Sequence, residues 1–170
     1  WAIVNNVHFL DFPIDQGANQ ISMWTDERVA AIRETCARYN IHIGIHTLSG
    51  VNVAEFAPYA SDGVDKYLTC CIDLAVRLGC EWTTVHAGFH FSTALEAREK
   101  ASLDRIKRIV QYAEFKGAQL CLENLNFEPH DAEVHYFAHT LDDVSFYLDA
   151  IPSSNLALAW AANHQNLVPE

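Results

Sequence analysis

The 170-residue chain predicts an α/β fold in which parallel strands form an arc of a (β/α)₈ barrel, with about five of the eight βα units present. Short apolar runs rich in β-branched and aromatic residues alternate with longer segments of helical periodicity. Helical segments separate every pair of strands, which predicts parallel strands joined by right-handed crossovers. Two architectures suit that order, an open doubly wound sheet and an arc of a closed barrel. A doubly wound nucleotide fold places a glycine-rich turn after its first strand, and Phe9-Leu10-Asp11-Phe12-Pro13 has none, which favours the barrel arc.

The elements follow in order. Residues 2–10 are mostly apolar and β-prone, and Asp11-Phe12-Pro13 is expected to stop that strand. After a polar loop, Thr25 caps a helix with the apolar stripe Val29, Ile32, Cys36 and Tyr39, and Asn40 closes it. Residues 41–47 are the second strand. Ser61 is the expected N-cap of the next helix, whose stripe of Val64, Tyr67, Leu68, Cys71, Ile72, Ala75 and Val76 keeps helical spacing up to Gly79. Residues 81–87 form the third strand. A long helix carrying Leu103, Ile106, Val110 and Ala113 then stops at Gly117. Residues 118–124 form the fourth strand, followed by a histidine-rich loop and a helix capped by Thr140 and ended by Pro152. Residues 155–161 form the fifth strand.

Half of the residues are apolar, enough for one core, so residues 1–170 are read as a single domain, and disordered or fibrous classes are excluded. The formal charge of -11 comes with mixed signs and no basic run beyond the steps around Lys107 and Arg108. Duplex nucleic acid needs a basic footprint, so it is a disfavoured partner. The cysteines Cys36, Cys70, Cys71, Cys80 and Cys121 show no CxxC spacing and four of them fall on apolar positions, which reads as buried reduced thiols. With neither a signal peptide nor a run of about 20 apolar residues, the expectation is a soluble cytoplasmic protein without a membrane partner. A chain that starts at Trp1 and stops just after a motif is expected to be truncated at both ends.

Polar residues collect where successive strands end: His46 on the second, His86 on the third, Glu123 on the fourth, and His164 just past the fifth. Strand ends of a parallel barrel share one rim. A lone histidine is ordinarily structural, but imidazoles and a carboxylate on four neighbouring strand ends form the donor set of a catalytic divalent ion. The cluster His130, His135 and His139 has irregular spacing in a polar loop and reads as solvated. Trp24, Trp82 and Trp160 read as core, Trp160 being near enough to the rim to wall a pocket.

Taken in order, Ile45-His46-Thr47 with Val51-Asn52-Val53-Ala54, then Val85-His86-Ala87-Gly88, Ser102-Leu103, Leu122-Glu123-Asn124 and Thr140-Leu141-Asp142-Asp143, resemble the xylose isomerase-like TIM barrel superfamily. Its members include sugar isomerases and epimerases and endonuclease IV. The resemblance implies that Glu123 is a metal ligand and a candidate proton-transfer group, and that His164 binds substrate oxygen or metal. It implies that His46 and His86 are metal ligands in endonuclease IV-like members and line the substrate pocket in isomerase-like ones. Asn124 is expected among the substrate contacts. The implied cofactor is a divalent ion: manganese, magnesium, cobalt or zinc.

Thr47 and Leu48 stand for the family's Ala-Pro and Ala87 for its proline, and two further features depart from the pattern. Ala161-Ala162-Asn163-His164 stands where the pattern has Asp-x-x-His, so an anionic ligand is missing, and either Asn163 or water replaces it or the site is degraded. His8 stands where family members often carry a glutamate. The function implied is a metal-dependent isomerase or epimerase acting on a small sugar, sugar phosphate or keto-sugar through an enediolate. The alternatives are a lyase or dehydratase on the same scaffold, an endonuclease IV-like abasic-site phosphodiesterase, and a catalytically degenerate barrel acting as a partner subunit. Unpaired sheet edges further predict an isolated chain that is poorly soluble or a homo-oligomer.

Overall fold

A computed structural model describes residues 1–165. Its main sheet contains β1 (Phe9–Pro13), β2 (His42–His46), β3 (Trp82–Val85), β5 (Leu120–Glu123) and β7 (Leu156–Ala159), in the order β1-β2-β3-β5-β7. Every neighbouring pair is parallel, with Leu10 opposite Ile43, Ile45 opposite Thr83, Val85 opposite Leu122 and Glu123 opposite Ala159. Two further short strands, β4 (Phe89–His90) and β6 (His135–Tyr136), make an antiparallel ribbon. The crossovers carry α1 (Asp26–Tyr39), α2 (Pro58–Leu78), α3 (Leu95–Lys116) and α4 (Leu141–Ala150), and a single turn, α5 (Ala162–Gln165), follows β7. This is the predicted barrel arc. The outer edges of β1 and β7 pair with no other strand among the described residues.

The first strand lies later than the sequence predicts. Residues 1–7 fold on themselves, with Asn5 N donating to Trp1 O (3.1 Å) and Val7 N to Ala2 O (3.0 Å), and Asn6 sits at φ 53, which no strand tolerates. Pro13 is tolerated because β1 is an edge strand, and Ile14 N carries the next ladder bond to His46 O (3.1 Å). His8 consequently precedes β1 rather than ending it, and its Nδ1 pairs with Asn40 O at 2.9 Å.

Helix boundaries follow their capping chemistry. Thr25 accepts from Arg28 N, and Asn40 ends α1 at φ 50. α2 starts at Pro58, three residues before the expected Ser61 cap, because Glu55 Oε1 already takes Phe56 N and Ala57 N (both 2.8 Å) and proline suits the first turn. Ser61 instead accepts from Arg105 Nη2 at 2.6 Å. Gly79 and Gly117 end α2 and α3 at φ 71 and 69, and Thr140 with Asp143 completes a capping box on α4.

Alternation along the strands divides the sheet. Ile43, Ile45, Val85, Leu120, Leu122 and Leu156 point towards the helices and pack on Leu68, Ile72, Leu74, Ile106, Ile109, Val110, Val144 and Tyr147. Each such side chain contributes about 1.5–3 kcal/mol on burial. Val76, expected on the apolar stripe of α2, is 38% exposed. Trp24 is in the core with Arg28 stacked over it, Trp82 is half-buried, and Trp160 is 48% exposed, against the core reading, because the outer edge of β7 pairs with no other strand among the described residues. Only Cys71 among the cysteines is fully buried, the other four being half-buried, and none is in a disulfide.

Two buried polar clusters hold the loops that leave the sheet. Arg105 of α3, 1% exposed, donates to Val53 O, to Glu55 O (2.9 Å) and to Asp65 Oδ1 (2.5 Å), tying the β2–α2 loop to the helix layer. A buried guanidinium is tolerable only when it is fully paired in this way. Ser102 donates to Ala87 O at 2.5 Å and meets Tyr147 Oη at 3.0 Å, pinning the chain just after His86.

Candidate metal centre

The alternate face of the same strands carries the chemistry. His46, His86 and Glu123 each follow a core residue, Ile45, Val85 or Leu122, and so project from the opposite side at the carboxyl end of the sheet. His86 Nε2 is 2.8 Å from Glu123 Oε2, His46 Nε2 is 3.2 Å from the same oxygen, and the two imidazole nitrogens are 2.9 Å apart. His86 is 7% exposed, and the side chains of Glu123 and His46 are 13% and 27% exposed. Among the described residues, this is the group of three whose ligand atoms have metal-site spacing.

Donors at about 2.0–2.2 Å from a divalent ion lie about 3 Å from each other along the edges of its coordination polyhedron. The separations of 2.8, 2.9 and 3.2 Å agree with that spacing, and two imidazoles with one carboxylate suit zinc, manganese or cobalt. The three residues therefore fit a divalent cation.

Without an ion, a proton network joins these groups. Hydrogen bonds to Asp11 and Glu123 raise the His46 pKa from 6.5 to about 9, against the effect of burial. Burial pushes the Glu123 carboxyl upward, but hydrogen bonds from His46 and His86 together with their charge outweigh it and hold the pKa at about 2.

A cavity of about 330 Å³ opens over this group, lined by His46, Ser49, His86, Glu123, Leu125, Asn126, Tyr136 and His164. His164 donates from Nδ1 to Asn124 O at 2.8 Å, and the same nitrogen is 3.9 Å from Glu123 Oε1. The structure thus brings His46, His86, Glu123 and His164 together.

Asn124 and Trp160 stand elsewhere. Asn124 is 1% exposed, and its amide is committed to Ala161, accepting from Ala161 N (2.7 Å) and donating to Ala161 O (3.3 Å). This pairing fixes the chain at the end of β7. Trp160 is not among the cavity-lining residues. Asn163, offered as a replacement for the missing aspartate, is exposed and also outside the cavity. The predicted solvated loop is more ordered than expected: His135 stacks on His90 at 5.4 Å in the β4–β6 ribbon, and His139 pairs with Tyr136 O (2.9 Å) and Asp143 (3.1 Å).

Sequence reasoning missed Asp11, which accepts from His46 Nδ1 at 2.9 Å, and also Tyr136, Ser49 and Asn126. Asp11 was legible only with the correct span of β1. Tyr136 belongs to a two-residue strand too short for any periodicity to reveal.

No curated protein matches the chain by sequence. Among solved structures, a D-tagatose 3-epimerase-like protein is 20% identical with a TM-score of 0.79, covering 93% of this chain and 57% of that one. D-psicose 3-epimerase with D-tagatose from Clostridium cellulolyticum is 13% identical with a TM-score of 0.80, over 99% of this chain and 58% of that one. D-allulose 3-epimerase from Methylomonas sp. in complex with D-allulose is 17% identical with a TM-score of 0.75, over 98% and 56%. Identities this low carry the fold, and the chain spans less than two thirds of the length of each of these proteins. The family model described as xylose isomerase-like TIM barrel matches residues 7–169. The chain belongs to the xylose isomerase-like TIM barrel family.

Proposed function

We propose that the protein is a divalent-metal-dependent isomerase or epimerase of a small sugar or keto-sugar. The observation that carries this reading is the convergence of His46 Nε2, His86 Nε2 and Glu123 Oε2 beneath a cavity of small-molecule size. Structural likeness to three proteins named as 3-epimerases or 3-epimerase-like supports the substrate class.

A divalent ion in this site would stabilise the negative charge that develops on substrate oxygens when a proton leaves the carbon beside a carbonyl. His46, His86 and Glu123 would hold it. Glu123 Oε2 faces both imidazoles, whereas Oε1 is turned towards His164, so Oε1 is the oxygen available for proton transfer. A carboxylate with a pKa of about 2 is a weak base, which favours a ligand role for Glu123 over a proton-transfer role. His164, fixed through Nδ1, can offer Nε2 to a substrate hydroxyl, and Tyr136 and Asn126 supply further polar contacts on the cavity wall. Ala161 leaves this chain one anionic ligand short of the family pattern.

Incubating the chain with Mn²⁺ and D-tagatose or D-psicose in deuterated water tests the reading by NMR. Deuterium entering at the carbon beside the carbonyl, and lost in Glu123→Gln, is the expected result. No exchange with any ketose at saturating metal overturns it. The pairing of both strand-end histidines with Glu123 also favours an endonuclease IV-like phosphodiesterase, against which the charge of -11 weighs. Nicking of an abasic duplex without ketose exchange would select that second reading. Self-association through the outer edges of β1 and β7, unpaired among the described residues, and a reducing cytoplasmic setting for five unpaired cysteines belong to the same proposal.

A further inference from the structure

We propose that Asp11 is the positioning residue of this site: its carboxylate fixes the His46 ring with Nδ1–H towards β1, so that Nε2 is the nitrogen turned to the cation position beside Glu123 and His86. The inference deepens the cation-site reading above and rests on it.

The geometry has three layers. Asp11 Oδ2 accepts from His46 Nδ1 at 2.9 Å, across the β1–β2 pairing. The carboxylate is itself held from β3, since Thr84 Oγ1 donates to Oδ2 at 3.2 Å and Trp82 Nε1 to Oδ1 at 3.3 Å. The Trp82 indole reaches Asp11 only because it crosses Gly44, where a Cβ would fall 2.0 Å from Trp82 Nε1. Three strands thereby aim one ring.

The chemistry follows from imidazole having two nitrogens. A neutral histidine ligand can bind through Nε2 only when its proton sits on Nδ1, and a carboxylate on Nδ1 both selects that tautomer and raises the basicity of Nε2. Outer carboxylates of this kind carry about 10–100-fold in metal affinity. The bland alternative is that Asp11 merely joins β1 to β3. An Asp11 confined to that role would leave the proton distribution on the His46 ring unaltered when removed.

Two measurements on the chain test the proposal. Nitrogen NMR of the His46 ring, taken without metal and above its titration range, is expected to show the proton on Nδ1 in the protein and partly on Nε2 in Asp11→Ala. Zn²⁺ titration calorimetry is expected to show about 10–100-fold weaker binding in Asp11→Ala. A ring whose protonation does not change in Asp11→Ala overturns the proposal, whatever happens to affinity. Should the unsubstituted chain bind no Zn²⁺, the cation-site reading fails by itself, while the ring measurement still judges Asp11. Thr84→Val keeps the carboxylate and removes one anchor, which covers the case where Asp11→Ala does not fold. A smaller shift in the same direction supports the proposal, and an unshifted ring contradicts it.

Discussion

The two faces of the sheet use the same strands for opposite purposes. Towards the helices stand Ile45, Val85 and Leu122, all at most 1% exposed and packed within the hydrophobic core. One residue further along each strand stand His46, His86 and Glu123, polar and joined to one another at 2.8–3.2 Å. The difference shows how register alone can couple stability to chemistry: the residue that anchors each strand end also sets where its functional neighbour points.

Several substitutions can break or sharpen that division. The largest effect is expected on the helix side, where Leu122→Ala should lower unfolding free energy by about 2–5 kcal/mol in urea titrations. A loss below 0.5 kcal/mol or so would mean the core does not fix the strand carrying Glu123. On the opposite face, Gly44→Ala forces Trp82 off its seat over β2 and should cost about 1–3 kcal/mol, the magnitude of an overpacked site. Unchanged stability there, with Trp82 fluorescence unaltered, would contradict the close approach of β2 to the indole.

The smallest effect concerns pH, in the metal-free chain. The His46 pKa is raised from 6.5 to about 9, so its stabilising contribution is complete below 6.5 and fades as pH rises through about 9. Glu123 is displaced the other way, so its contribution is present above 4.5 and fades as pH falls through about 2. The denaturation midpoint of the chain should exceed that of His46→Gln below 6.5 and converge with it on the alkaline side. A difference that stays constant across this range contradicts the network.

The barrel arc was legible because parallel strands buried on one face leave apolar runs between well-capped helices. Thr25, Asn40, Gly79, Gly117 and the Thr140–Asp143 box mark helix ends through local chemistry that a sequence displays directly. The start of α2 was hidden because Glu55, two residues ahead of the cap position, competes with Ser61 as the first acceptor. β1 was hidden because its apolar lead-in, residues 2–7, satisfies its backbone locally. Within the site, His46, His86, Glu123 and His164 announced themselves by position at strand ends. Asp11 was passed over, and the pairing of Asn124 with Ala161 was hidden, because hydrogen bonds between distant strands decide them, and spacing along one chain does not encode those.

The most direct test of the account is a Mn²⁺ titration of the chain and of the triple variant His46→Gln, His86→Gln, Glu123→Gln, followed by electron paramagnetic resonance. The account predicts one bound ion per chain, absent from the triple variant while its core and circular dichroism persist. Equal binding by both, or none by either, would contradict a cation site built from these three side chains.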